Sequence, residues 1–385
     1  MTFNRRWPAK LSHLGLVLLA ALGLSGCDGI IASGAEDGNA GLDAHSFPNQ
    51  KIQGEPNDTF AEAIEVIWDR RGMGRLFGRI SHAEDVDVFA LGPMNEGDRL
   101  IIDVGTPRSN LDAQVAVFDE QGRIAFENDD RNLELLQLDP FINEVIRRSS
   151  EVYFLAIYSS YFAAPQENTG AYDIQLTVVR GGEVPATQGQ VVVLNFNGGT
   201  ISITGDKTYT VGPFDTADIS PSYTGMTAAV RQQINATVRE NFAGLDLDVR
   251  VLPGVSLPAK DYSTVLFGGS NPEAYGIAQK IDPFNRDPND QAIIFTEMFT
   301  PNRFGRVLTA YELGVAIGNI ASHEIGHLLG LNHVADVMDL MDTTGSAETF
   351  LNNQTFKDSV LDVTISPLGT QDSLLLLLET IGWTY

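Results

Sequence analysis

Short runs of alternating apolar and polar residues fill the first half of the chain, and longer helix-spaced patterns replace them in the second. Residues 97–104, 113–118, 152–158 and 172–178 are rich in β-branched and aromatic side chains, with Gly, Asn and Asp between them. Closely spaced short strands without a strong helical period predict an antiparallel sandwich. Residues 181–187 read as a linker. Beyond it, residues 191–196 form a buried strand, and Met226, Val230, Ile234 and Val238 mark one face of a helix that Gly244 can end. Leu245, Leu247, Val249 and Val251 alternate with Asp246, Asp248 and Arg250, the mark of a half-buried strand. Residues 264–267, 275–281 and 292–296 are further strand candidates. Thr309 and Glu312 make a capping box for a second helix, along which Ala316, Ile320, His323 and His327 share a face. The order is therefore β-α-β-β-β-β-α. Residues 343–370 lack a clear period. Asp372 or Ser373 then caps a last helix carrying residues 374–378 and Ile381, too short to cross a membrane.

The second helix carries the chemistry. Residues 323–333 read His-Glu-x-x-His-x-x-Gly-x-x-His. His323 and His327 stand four apart, hence on one face, where two imidazoles can grip one ion. Zinc needs a third protein ligand and an open position. Gly330 can adopt the left-handed conformation that ends a helix, turning the chain so that His333 supplies the third nitrogen. Glu324 lies beside the metal and is free to act as a base. With 6 His and 37 Gly in 385 residues, the three His and the Gly at these spacings arise by chance in on the order of one such chain in ten thousand. Surface histidines on an ordinary helix are thus the weaker explanation.

This motif resembles that of the metzincin zinc peptidases. Met341 follows His333 at a spacing similar to that of the matrixins, within Val337-Met338-Asp339-Leu340-Met341-Asp342. The resemblance implies that Met341, rather than Met338, lies in a tight turn beneath the zinc without binding it. The chain departs from the matrixin pattern at Val334 and at Asp342-Thr343. The family also implies an α+β catalytic domain, here residues 183–385, whose edge strand receives an extended peptide; residues 275–281 are the candidate. The expected activity is metalloendopeptidase, with zinc on His323, His327 and His333 and Glu324 as general base. Two other classes remain open: a surface binding protein whose zinc is not catalytic, and a zinc hydrolase that cuts a non-peptide bond.

Composition narrows the setting. Twenty-five basic residues against 50 acidic ones give a net charge of -25, which argues against nucleic acid as a partner and against adsorption to anionic lipid. The one cysteine, Cys27, permits no intramolecular disulfide. It follows a basic head of Arg5, Arg6 and Lys10, an apolar stretch over residues 11–24, and Leu24-Ser25-Gly26. This resembles a bacterial lipoprotein signal, with residues 1–26 cleaved and Cys27 lipidated, which would hold the protein on a membrane facing the periplasm or the cell surface. An ordinary secretory signal, giving a secreted protein, is the alternative. Residues 27–50, rich in small and polar residues, read as a flexible tether.

Residues 51–182 are similar to the pre-peptidase C-terminal-like modules of secreted bacterial proteases. The landmarks are Glu55-Pro56-Asn57-Asp58-Thr59, Asp85-Val86-Asp87-Val88-Phe89, Leu111-Asp112 and Asn128-Asp129-Asp130. The resemblance implies a jelly-roll-like accessory sandwich with no catalysis of its own. Asp85, Asp87, Asp129 and Asp130 are candidate calcium ligands, with exposed turn carboxylates as the alternative reading. The expected whole is a multidomain chain, a β-sandwich followed by a zinc-protease domain acting on protein or peptide.

Overall fold

The computed structural model describes residues 49–51 and 55–384, apart from 108, 133–134, 204–206, 255 and 258–260. The signal reading and Cys27 lie outside the described residues. The tether reading, 27–50, overlaps them at its end: Asn49–Lys51 is already a strand, paired in parallel with residues 75–77.

The chain is mostly β-sheet. Its first half is a sandwich of two five-stranded sheets. One sheet runs in the order Asn49–Lys51, Met73–Ile80, Gly170–Val179, Arg99–Gly105, Phe141–Val145. The other runs Ile64–Glu65, Val86–Met94, Ser150–Ser159, Ala113–Phe118, Ile124–Asn128. Pairing is antiparallel except for the two short strands Asn49–Lys51 and Ile64–Glu65. The alternation expected from the sequence sets the inward face: Tyr172, Ile174, Leu176 and Val178 point inward to meet Leu76, Ile102, Val115 and Leu155, while Asp173 and Gln175 point out.

The second sheet buries its outer face too. Every residue of Ala113–Phe118 is buried, and Val86, Val88, Ala116, Phe118, Ala156 and Tyr158 join the core of the second half. The near-continuous apolar run Val115-Ala116-Val117-Phe118 fits a strand covered on both faces. Gln114 and Tyr158 donate hydrogen bonds to one acceptor on the other side, the Ile365 carbonyl, at 3.0 and 2.9 Å. The Arg148 guanidinium bridges Asp119 and Glu379, at 3.0 and 2.9 Å. Residues 181–187 are irregular, as a linker should be, yet the sandwich shares one hydrophobic core with the second half of the chain.

That half holds a mixed sheet in the order Leu247–Leu252, Gln190–Asn195, Ser263–Phe267, Gln291–Ile294, Gly276–Ala278. The first four strands are parallel and the last is an antiparallel edge. Helices Thr227–Asn241 and Ala310–Leu328 pack together, with Asn241 Nδ2 donating to Asn319 Oδ1 and Ser322 Oγ at 3.0 and 2.9 Å. The Thr309–Glu312 capping box forms as the sequence predicts. Four strands separate the two helices, at the four candidates that the sequence offers. A hairpin, Gly199–Ile203 with Lys207–Val211, also precedes the first helix. Its exposed face is built of Thr200, Ser202, Thr208 and Thr210, whose polarity hides the strand from a hydropathy reading. After the histidines come the 3-10 turn Ala347–Leu351, the small hairpin Asp358–Val360 with Thr370–Asp372, and the helix Ser373–Thr380, capped by Asp372. Among the described residues, no helix is long and apolar enough to cross a membrane.

Candidate metal centre

Ala310–Leu328 delivers His323 and His327 from its last turns. Leu329 caps the helix, and Gly330 then takes φ +94°, a conformation costly for any residue with a Cβ. It also lies so close to the 282–284 loop that a Cβ would stand 2.8 Å from Pro283 Cα. The reversed chain returns His333 to the other two. His327 Nε2 lies 3.1 Å from His323 Nε2 and 3.0 Å from His333 Nε2. All three rings are buried, at 3, 6 and 6 % exposure in chain order.

Their protonation follows from their partners. Nδ1 of His323 faces the Leu340 carbonyl at 2.7 Å, and Nδ1 of His327 faces the Leu331 carbonyl at 2.8 Å. A carbonyl only accepts, so each Nδ1 carries the hydrogen and each Nε2 presents a lone pair. Burial holds His323 down at about 4, while burial and the neighbouring histidines hold His327 and His333 well below the ordinary histidine range. Lone pairs crowded in a buried space repel each other unless a cation sits among them. Neutral imidazoles with Nδ1 tied to backbone are what zinc selects, so the residues present fit the ion.

Glu324 points from the helix toward the sheet edge. It is 2 % exposed, and burial raises it to about 8, offset by a hydrogen bond from the Ala278 backbone. Gly276 makes room for it: a Cβ there would meet Glu324 Oε1 at 2.5 Å. Thus the edge strand, shorter than its sequence candidate, flanks the proposed base with its two small residues. Neither Gly276 nor Ala278 stands out in the sequence, although a small-x-small pair within a strand was the available signal.

Met341 is fully buried, with its sulfur against the helix backbone at Gly326. Met338 is 39 % exposed, so of the two methionines it is Met341 that packs against the histidine-bearing helix. The turn is organised by Asp339, which sequence reasoning did not single out. Fully buried, its carboxylate accepts from Met341 N at 2.9 Å and from Ser359 Oγ at 2.8 Å.

The four calcium candidates do not converge. Asp85 groups with Glu55 and Asp58, and Asp129 and Asp130 with Asp112. Asp87 accepts from Asn57 Nδ2 at 2.8 Å and Tyr172 Oη at 2.5 Å. Asp85 and Asp87 are both 1 % exposed, so the alternative of exposed turn carboxylates does not describe them either. Asp87 thus ties the start of the sandwich to its strands, while Asp85 accepts from the Ser81 backbone N–H within its own turn.

No family model matches the chain. No curated protein matches it. Among solved structures, it is similar to archaemetzincin from Methanopyrus kandleri at 12 % identity and TM-score 0.27, covering 51 % of this chain and 98 % of that one. It is similar to the pre-peptidase C-terminal domain of collagenase from Bacillus anthracis at 13 % identity and TM-score 0.23, covering 33 % and 100 %. A third is PliG from Aeromonas hydrophila, a periplasmic inhibitor of g-type lysozyme, at 12 % identity and TM-score 0.25, covering 34 % and 99 %. At such TM-scores these likenesses carry no argument, and the site stands on its own geometry.

Proposed function

We propose that the protein is a zinc metalloendopeptidase of metzincin type. The observation that carries this reading is the convergence of three buried, neutral imidazoles with a carboxylate one residue from the first of them. Zinc held by His323, His327 and His333 supplies a Lewis acid that polarises the scissile carbonyl and acidifies water. Glu324 takes the proton from the attacking water and hands it to the leaving nitrogen. Its buried carboxyl, raised to about 8 by desolvation, is brought back toward the ionised form by a neighbouring cation. The edge strand Gly276–Ala278 has one side paired with Gln291–Ile294; on the other, an extended peptide adds as a further strand, placing its carbonyl beside Glu324. Met341 and Asp339 fix the floor under the histidines.

The substrate on this reading is protein or peptide outside the cytoplasm. The enzyme is carried on a bacterial membrane by lipid on Cys27 and does not act on nucleic acid. The test is to incubate the zinc-loaded protein with an unstructured polypeptide and sequence the fragments. New amino termini that vanish with a chelator support the peptidase. Zinc bound at one equivalent with no new termini on any of a panel of polypeptides would contradict it.

A further inference from the structure

Where the sandwich meets the second half lies a cavity of about 590 Å³, lined by three arginines, Arg99, Arg147 and Arg286, in a chain of net charge -25. Arg147 is its central feature. The guanidinium stacks over Phe284 at 3.8 Å. Nη1 donates to two main-chain carbonyls, Glu379 at 2.9 Å and Pro185 at 3.4 Å, and Nε is buried without an acceptor. Glu379 and Glu144 act on it through space, but their carboxylates are engaged by Arg148 and Arg286. A half-buried cation bonded only to carbonyls, with a donor to spare, calls for an anion.

An unused acceptor stands in the same wall. Gln190 Nε2 donates to Ser263 Oγ and the Pro288 carbonyl, so Gln190 Oε1 accepts from Asn285 Nδ2 at 3.0 Å. That fixes the Asn285 amide and leaves its Oδ1 buried and unpartnered. Phe284 and Asn285 are held at φ +61° and +49°, a left-handed pair that ordinary loops avoid. Of the carboxylates in the lining, Glu144 is paired with Arg286 and Asp261 is exposed.

We propose that this cavity binds a ligand bearing a carboxylate next to an N–H donor, as at the carboxyl terminus of a peptide or acylated amino acid. Arg147 takes the carboxylate in its planar fork, Arg99 and Arg286 add charge at the rim, and Asn285 Oδ1 accepts from the N–H. The site lies apart from the histidines but shares a loop with them: Asp282 N donates to the His327 carbonyl at 2.9 Å, and Gly330 packs on Asp282 and Pro283. It therefore offers a place from which a product-like ligand bears on the metal centre.

The test is calorimetric titration of the zinc-loaded protein with N-acetylglycine, N-acetylglycinamide and inorganic phosphate, repeated on Arg147→Met and Arg99→Gln. The expected result is saturable binding of N-acetylglycine, roughly ten-fold weaker for the amide and for Arg147→Met, and several-fold weaker for Arg99→Gln. Arg99 is exposed and donates to Asn143 at 2.9 Å. Its variant therefore decides the matter if Arg147→Met does not fold. No saturable binding, equal binding of the amide, or binding of phosphate alone would overturn the proposal. So would N-acetylglycine affinity unchanged in the folded variants, which would place the ligand on the zinc.

Discussion

A Cβ added to Gly326 would stand 2.5 Å from the Sδ of Met341. The helix that carries the histidines thus rests directly on the methionine of the following turn, with no side chain between them. Gly326→Ala forces one of the two to move, and His323 and His327 flank that position. We expect a loss of about 1–3 kcal/mol of stability, with weaker zinc binding. Met341→Leu keeps volume and is expected to cost under about 1.5 kcal/mol. Urea denaturation and chelator competition on both variants check this.

Asp339→Asn tests the same turn from below. The amide can still accept from Met341 N, but with one acceptor oxygen lost it cannot serve all three donors on this carboxylate, Met341 N, Lys357 N and Ser359 Oγ, and Ser359 must turn from donor to acceptor. The expected cost is about 1–3 kcal/mol, with loss of zinc affinity. Denaturation of the metal-free variant, measured beside the native protein, separates the structural share from the metal-linked one.

The sandwich and the second half should unfold together. Their common core and the paired donors on the Ile365 carbonyl leave no dry boundary at which one could melt alone. Calorimetry should show a single transition. Tyr158→Phe should lower its midpoint through a loss of about 1 kcal/mol without splitting it. Two separate transitions in the native protein would show that the interface is weak.

A buried carboxyl outside the histidine cluster sets one pH dependence. Burial raises Asp290 to about 7, with Ser263 Oγ donating to it at 2.7 Å. Its folded value lies above its unfolded one, so this group favours the fold fully below about pH 4, and that contribution is lost as pH rises toward 7. Asp290→Asn, which copies the protonated acid, should matter little near pH 4 and stabilise by on the order of 2 kcal/mol at pH 8. Thermal denaturation of both proteins across that range gives the slope.

What the sequence made legible was what repeats or punctuates. The strands at 113–118 and 172–178, the capping box at Thr309 and Glu312, and the glycine that turns His333 back all carry local signals that the structure keeps. The small hairpins stayed hidden because their faces are polar or their strands only three residues long. Asp339 and the Arg147 cavity were out of reach for another reason. Each owes its role to partners far along the chain, and a spacing rule cannot see them. The partners of the calcium candidates were out of reach in the same way: Asp85 stands with Glu55 and Asp58, and Asp129 and Asp130 stand with Asp112.

The most direct measurement compares the native protein with Glu324→Ala at equal bound zinc, on an unstructured polypeptide. Three histidines hold the ion in both, so zinc content should be equal, while cleavage should fall by about 10²–10⁴-fold in the variant and stop in the native protein with a chelator. Cleavage that persists in Glu324→Ala, or that never appears in the zinc-loaded native protein, would contradict a metallopeptidase in which Glu324 moves the proton.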